Sequence, residues 1–374
     1  MSTNYEFSFP TRILVTEDSC KILIECIKNE GFKRPLFVTD SNLEKLPLYA
    51  DLLKQCQNEF SCGSFANITG NPLVSQVEDG IKSYKSHKAD CLVMIGGGSA
   101  IDVGKAIAVG INNDAPLLDY AEGNPKQLGI DKELPYKIAI PTTAGTGSEV
   151  GRSSVVSADS DKKKYIIFSP KMLPETVIVD PNLTKGMPKD ITAATGMDAL
   201  THCIEAYLAK GYHPMCDGIA LEGLRLVANN LKKACDDPTD IKARQNMLLA
   251  ALMGAVAFQK GLGVTHSCAH ALSTHFDMHH GLANTLMLPA GLKFNQPEIK
   301  SKLEIMSQTV ATKSNFITWV EKFIKTLGFN IGLSHHGVEI NDALINTAFQ
   351  DPCHPLNPRP VTKSDFLEIF KNSI

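Results

Sequence analysis

The sequence predicts an α/β N-terminal domain of Rossmann-like type, with a mostly parallel sheet, followed by an all-α C-terminal domain. Three observations predict it. At 374 residues the chain is too long for one ordinary hydrophobic core, so two domains are expected. The first half alternates short apolar runs with stretches of helical spacing, the pattern of parallel strands joined by crossover helices. After Asp180-Pro181 the strand-like runs largely stop and long helical spacings take over.

Taken in order, Arg12 to Val15 reads as a strand, Ser19 to Glu30 as an amphipathic helix, and Pro35 to Thr39 as a strand ending at Asp40. Val74 to His87 reads as a helix, Cys91 to Ile95 as a buried strand, Ala100 to Val109 as a helix and Lys137 to Ile140 as a strand. Helical spacing then covers Thr192 to Leu208, Asp217 to Ala234, Ile241 to Phe258, Ser301 to Val310 and Ile317 to Leu327. The proline-containing link Asn182 to Asp190 sets the expected domains at 1–185 and 186–374. Ligands of such sheets sit at the carboxyl ends of the strands, and the expected cleft lies between the domains.

Composition narrows the function. Hydrophobic residues are 43% and charged residues 21% of the chain, the balance of a globular protein and not of a disordered or fibrous one. A net charge of −3 gives no field to recruit nucleic acid or an anionic membrane, so the expected partner is a small molecule. The ten cysteines include no Cys-x-x-Cys pair, which suits buried, reduced thiols in a cytoplasmic protein. Met1 to Pro10 has no basic or apolar leader pattern, and no run approaches the roughly 18 apolar residues of a membrane span.

Two turns carry cofactor chemistry. The strand Cys91 to Ile95 runs into Gly96-Gly97-Gly98-Ser99, and a helix follows with Asp102 and Lys105 on it. Residues without side chains let backbone N–H groups and the positive end of the helix approach a phosphate. Position 101 is Ile, so the Gly-x-Gly-x-x-Gly fingerprint is incomplete, and a tight turn that binds nothing has the same sequence. The second turn, Pro141 to Glu149, contains Thr142, Thr143, Thr146 and Ser148, whose hydroxyls can cover phosphates and ribose. Asp40 at a strand end can accept from ribose hydroxyls and repel a 2′-phosphate, favouring NAD over NADP, or it can simply cap the next turn.

Five of the eleven histidines, at 266, 270, 275, 279 and 280, crowd into one segment. Neutral imidazole is the commonest protein ligand for divalent transition metals. Asp198 and His202 stand at i and i+4, one face of one helix, where two side chains can share an ion. Imidazoles mixed with a carboxylate suit Fe(II) or Zn(II), not calcium or a thiolate zinc site. A metal that polarises oxygen, beside a dinucleotide that exchanges hydride, points to a dehydrogenase.

With these motifs, together with Gly186-Met187-Pro188, Thr195 to His202, Glu205-Ala206-Tyr207, His280-Gly281 with Asn284, and Asn357-Pro358-Arg359, the sequence resembles the iron-dependent (group III) alcohol dehydrogenase family over nearly its full length. The resemblance implies a dehydroquinate synthase-like architecture, a dimer, and metal ligation by Asp198, His202, His266 and His280. It implies that His270 serves in proton relay or orientation, while His275 and His279 receive no role. The implied NAD contacts are Asp40, Asn71, Gly98, Ser99, Asp102, Thr142, Thr143, Lys164, Leu183 and Met187, joined by Gly97, Thr146 and Ser148 from the two loops.

The chain departs from the family pattern at Gly151 and Ser153 and follows it weakly over Asn295 to Gly337. Lys260 stands where many members have an uncharged residue, which raises an acidic, semialdehyde-type substrate held by Lys260 with Arg152 or Arg359, against a plain solvated lysine. Two competing functions use the same motifs. One is a dehydroquinate synthase-like lyase with transient NAD use, and the other is a non-catalytic nucleotide-binding protein.

Overall fold

The computed structural model of the chain describes residues 9, 11–160 and 163–373. Residues 1–8 and 10, where the first domain is expected to begin, and residue 374, where the second ends, lie outside the described residues. The described residues divide into two units, 11–143 with 147–160 and 163–185, and Phe9 with 144–146 and 186–373.

In the first unit the strands are β1 (Arg12–Val15), β2 (Pro35–Val38), β3 (Gly63–Phe65), β4 (Cys91–Gly96), β5 (Tyr136–Pro141), β6 (Ser153–Ser157), β7 (Lys164–Phe168) and β8 (Thr176–Val179). Six of them form one sheet in the order β1-β8-β5-β4-β2-β3, with every neighbouring pair parallel. The remaining two, β6 and β7, pair antiparallel as a separate hairpin. Helices α1 (Ser19–Asn29), α2 (Pro47–Gln57), α3 (Val74–His87) and α4 (Gly98–Asn112) complete the unit. Strand alternation sorts the core. Leu36, Val38 and Leu92 face Val103, Ala106 and Ile107 of α4, while Phe37, Val93 and Ile95 pack with Leu23 and Ile27 of α1 and Leu52 of α2. Continuous burial along β2, β4 and β8 fits a sheet covered on both faces.

The second unit is helical: α5 (Lys189–Leu208), α6 (Pro214–Asp236), α7 (Ile241–Ala257), α8 (Val264–Phe276), α9 (His280–Asn295), α10 (Lys300–Thr309), α11 (Phe316–Thr326), α12 (Asp342–Gln350) and α13 (Lys363–Lys371). Asp240 caps α7 by accepting from the Ala243 N–H at 2.8 Å, and Thr362 forms a capping box with Asp365 at the start of α13. Helix α5 is buried from Thr192 to Leu208, on every face, so it is the centre of this unit and its neighbours pack around it. Close approach is set by residues lacking a side chain. A Cβ on Gly281 at the start of α9 would stand 2.2 Å from the Ala194 carbonyl oxygen of α5, and one on Gly254 of α7 would stand 2.9 Å from His202 Cβ.

The Gly281 contact is with backbone, so no rotamer change relieves it. Gly281→Ala is expected to lower unfolding stability by about 1–3 kcal/mol, the usual cost of overpacking. Denaturant titration checks this, and an unchanged midpoint would show that α9 can back away from α5.

Candidate functional site

In the α/β unit, neighbouring parallel strands bring the expected cofactor residues to one end of the sheet. Asp40 follows β2, Asn71 lies beyond β3, Gly97 to Ser99 follow β4, Thr142 and Thr143 follow β5, and Leu183 follows β8. Gly96 has φ +150°, and a Cβ there would lie 2.7 Å from Ala100 Cβ and 3.5 Å from Asp40 Oδ2. Gly97 is the N-cap of α4, and a Cβ on it would stand 3.3 Å from the Thr143 side chain. The first N–H groups of α4 thus open at a backbone surface stripped of side chains, with the hydroxyl of Thr143 beside it.

Several expected contacts are engaged within the unit. Asp40 Oδ1 accepts from the N–H groups of Asn42 at 2.9 Å and Leu43 at 3.0 Å, so this carboxylate caps its turn, while Oδ2 faces Gly96. Asp102 accepts from the Ser148 hydroxyl and, at 3.0 Å, from the Val155 N–H; it also pairs with the buried Lys105 at 3.2 Å. Lys105 Nζ donates to the carbonyls of Ser148, at 3.0 Å, and Ser153. Asp102 and Ser148 therefore hold each other and brace the Thr/Gly-rich segment. Asn71 is exposed, Lys164 lies on the separate β6–β7 hairpin, and Thr146 and Met187 belong to the helical unit.

In the helical unit the histidine cluster closes on α5. The spacing of Asp198 and His202 places both on one face of that helix, His266 comes from α8, and His280 opens α9. One ligand atom from each of the four lies within 4.8 Å of all the others. Asp198 Oδ1 is 4.0 Å from His202 Nε2, 3.9 Å from His266 Nε2 and 3.4 Å from His280 Nε2. Burial opposes the charge on Asp198, but the surrounding imidazoles and the Asn284 amide outweigh it and hold its carboxyl at about 2. Burial drives His202 down to about 4 against the pull of Asp198, so its lone pair is available near neutral pH.

Glu205, one turn further along α5, has no role in the sequence reading and is a principal organiser of the site. Its Oε2 accepts from His266 Nδ1 at 2.7 Å and from the N–H groups of Gly263 and His266, and its Oε1 accepts from Thr265 N–H at 2.7 Å. One buried carboxylate thereby caps the start of α8 and fixes the His266 tautomer, leaving Nε2 as a lone pair facing Asp198. Burial disfavours its charge, yet the bonds from His266 and Thr265 lower its carboxyl below the usual range. The signal available in the sequence was the 198, 202, 205 spacing, which keeps all three on one helical face.

A second carboxylate–imidazole pair flanks the first. His270 Nδ1 lies 2.7 Å from Asp351 Oδ2, while Asp351 Oδ1 accepts from the Ser267 hydroxyl at 2.8 Å and the Cys353 N–H at 2.9 Å. A carboxylate only accepts, so Nδ1 carries the proton and Nε2 is free as a base. The His270 ring stacks on that of His280, with centroids 5.2 Å apart. Asp351 follows α12, far along the chain, and nothing in the sequence links it to His270. His275 bonds Thr347 at the surface, and His279 stands exposed at the N-cap position of α9 without a side-chain capping bond.

Lys260 is neither open to an acidic substrate group nor a solvated lysine: it is 7% exposed, its Nζ donates to the Tyr207 carbonyl at 3.1 Å and it pairs with Asp217. The last carbonyls of α5 lack intrahelical donors, and Lys260 satisfies one of them. Arg359 is likewise occupied, donating to the Phe294 carbonyl at 2.9 Å with its guanidinium over the Phe294 ring.

The four-residue cluster fits a transition-metal ion. It supplies one carboxylate and three imidazoles at separations that a single ion spans, and Asn284 Oδ1 beside it is buried without a hydrogen-bond partner among the described residues.

Comparison with known proteins bears on both units. Residues 10–181 match the family model described as iron-containing alcohol dehydrogenase, and residues 192–374 match the C-terminal model of the Fe-containing alcohol dehydrogenase family. The chain is 35% identical to 4-hydroxybutyrate dehydrogenase of Cupriavidus necator, over 92% of this chain and 93% of that one. It is 33% identical to the NAD-dependent methanol dehydrogenase of Bacillus methanolicus, over 98% and 99%. The crystal structure of a 1,3-propanediol oxidoreductase superposes with a TM-score of 0.94 at 30% identity, covering both chains completely.

Glu205→Gln should weaken metal affinity by about 10–100-fold, the usual cost of losing a group that orients a ligand, while leaving dinucleotide affinity unchanged. Competition with a chromogenic chelator measures the first and fluorescence titration the second. Unchanged metal affinity would reduce Glu205 to a helix cap.

Proposed function

The chain belongs to the iron-containing alcohol dehydrogenase family, and from that premise we propose that it is a metal-dependent, NAD(H)-linked oxidoreductase that interconverts a small alcohol and its aldehyde. The observation that carries the reading is the convergence of Asp198, His202, His266 and His280 on one point. Those four residues would hold the ion, Fe(II) by the family's description, with Zn(II) as the competitor for the same donors. When bound, the ion polarises the substrate oxygen and the nicotinamide exchanges hydride with the substrate carbon.

The protein's own residues divide the remaining work. Oxidation of an alcohol releases one proton as well as one hydride, and His270 Nε2 accepts that proton or returns it in the reverse direction. Asp351 keeps His270 in the tautomer that can do so. The bare turn at Gly97, Gly98 and Ser99 receives the pyrophosphate, with Thr142 and Thr143 beside it and the Asp40 carboxylate favouring NAD over NADP. Asn71, Asp102, Thr146, Ser148, Lys164, Leu183 and Met187 complete the proposed cofactor set, with Asp102 and Ser148 acting by bracing the loop. Residues 1–185 are assigned to dinucleotide binding and 186–374 to metal and substrate.

The substrate is a small alcohol or aldehyde. A carboxylated substrate is supported by similarity to the 4-hydroxybutyrate dehydrogenase of Cupriavidus necator and to a maleylacetate reductase structure, and loses Lys260 as its anchor. No described single helix is long and apolar enough to cross a membrane. The cysteine pattern supports assigning the enzyme to the cytoplasm, and the family resemblance supports a homodimer.

His202→Ala should abolish turnover of every alcohol in a panel that includes methanol, 1,3-propanediol and 4-hydroxybutyrate, with NAD affinity retained; persisting turnover would overturn the ligand assignment. Stripping the metal from the native enzyme should stop NADH formation, and Fe(II) should restore it better than Zn(II). Asp351→Asn should lower kcat about tenfold or more at unchanged metal content, since the amide no longer fixes the His270 tautomer. Steady-state kinetics with elemental analysis separates these effects, and an unchanged kcat removes Asp351 from the mechanism.

A further inference from the structure

We propose that His270, Asp351 and Cys353 form a second, separate metal site, which takes a soft divalent cation of the Zn(II) or Cd(II) class and silences His270 when filled; the silencing rests on the proton role given to His270 above. One ligand atom from each of the three lies within 4.8 Å of the others, and none of the three belongs to the Asp198 cluster. They come together from two places: His270 lies within α8, and the turn after α12 carries Asp351 and Cys353 two positions apart. All three residues are half-buried, so an ion can reach them from solvent.

The donor set differs in kind from that of the first cluster. An imidazole, a carboxylate and a thiolate are all zinc ligands, and the sulfur selects soft ions. Asp351 Oδ2 is 2.7 Å from His270 Nδ1, and the Cys353 thiol bonds to the same carboxylate. The Ser267 hydroxyl and the Cys353 N–H hold Oδ1, which orients the group and leaves Oδ2 for the ion. Tetrahedral donors on Zn(II) stand about 3.3–3.8 Å apart, so Nδ1 and Oδ2 separate slightly as the ion enters. The thiol gives up its proton, and the thiolate with Asp351 balances the two charges of the ion. A neutral imidazole bound through Nδ1 carries its one proton on Nε2, so the ring proton moves across and none is lost. His270 Nε2 is not shut off from solvent, and water accepts its N–H. The atom that should take the alcohol proton is then already protonated.

Cd(II) titration of the iron-loaded full chain tests this, because a cadmium–thiolate bond gives an ultraviolet charge-transfer band and the Asp198 cluster contains no thiol. Stoichiometric Cd(II) should raise the band and lower kcat about 100-fold or more, the worth of a general base, with iron retained by elemental analysis. Cys353→Ser, referred to its own turnover without Cd(II), should lose the band and need about tenfold or more Cd(II) for the same inhibition. No band in the wild type, or a band that the serine variant keeps, overturns the site and leaves the role of His270 standing. Iron released in step with inhibition, without a thiolate band, places the Cd(II) in the Asp198 cluster and overturns the site equally. A band that depends on Cys353 while kcat stays unchanged overturns the silencing and takes the proton role of His270 with it. The band reads the site even in a chain that turns over no alcohol, so this site and the proposed activity fail separately.

Discussion

A buried carboxylate surrounded by imidazoles in a helix core is the constraint on which the helical unit depends. Asp198 is shut away from water with three rings turned toward it, and such an arrangement is costly unless charge is balanced and lone pairs find a partner. A divalent cation meets both demands at once. Helix α5 can supply two of the four donors only because it is buried on all sides, and it is buried on all sides because glycines on α7 and α9 let those helices come close. Packing and chemistry are thus one requirement: the side chains absent at Gly254 and Gly281 are what let His202 and His280 reach the same point.

The same logic recurs one layer out. Glu205, buried, and Asp351, half-buried, are both acceptors that hold backbone N–H at a chain turn and also hold the Nδ1 proton of one histidine. Each joins local structure to ring orientation, so a change that loosens either turn also releases the imidazole it fixes. His266 and His270, separated by one turn of α8, end with the same tautomer and opposite uses, one proposed to donate its lone pair to an ion and the other to take a proton. In the α/β unit, Lys105 and Asp102 brace the loop after β5 from inside, Lys105 through the Ser148 carbonyl and Asp102 through the Ser148 hydroxyl.

The sequence made the architecture legible where the hydrophobic period was strong. Val74–His87 appears as a helix with the expected bounds, and β1, β2, β4 and β5 lie where apolar runs placed them. Strand β3 has only three residues, too few for a period; β8 is as long as β1 and β2 and fully buried, an apolar run the sequence reading passed over, and the Ser-rich β6 lacks the apolar alternation that would mark a hairpin. Helices α8 and α9 carry the histidines, yet their spacing was obscured by Gly261, Gly263, Gly281 and the internal Pro289. Local spacing could propose Asp198 with His202, but Asp351 with His270 is a tertiary contact between positions 81 apart. Lys260 was misleading for a related reason, since its partners, Tyr207 and Asp217, become visible only once α5 and α6 are packed.

The most direct measurement is anomalous scattering at the iron edge from crystals of the protein loaded with Fe(II). One strong peak within bonding distance of Asp198 Oδ1 and of Nε2 of His202, His266 and His280 is the expected result. Iron bound elsewhere, or no ordered iron with those four side chains unmoved, would contradict a metal-dependent reaction at this site.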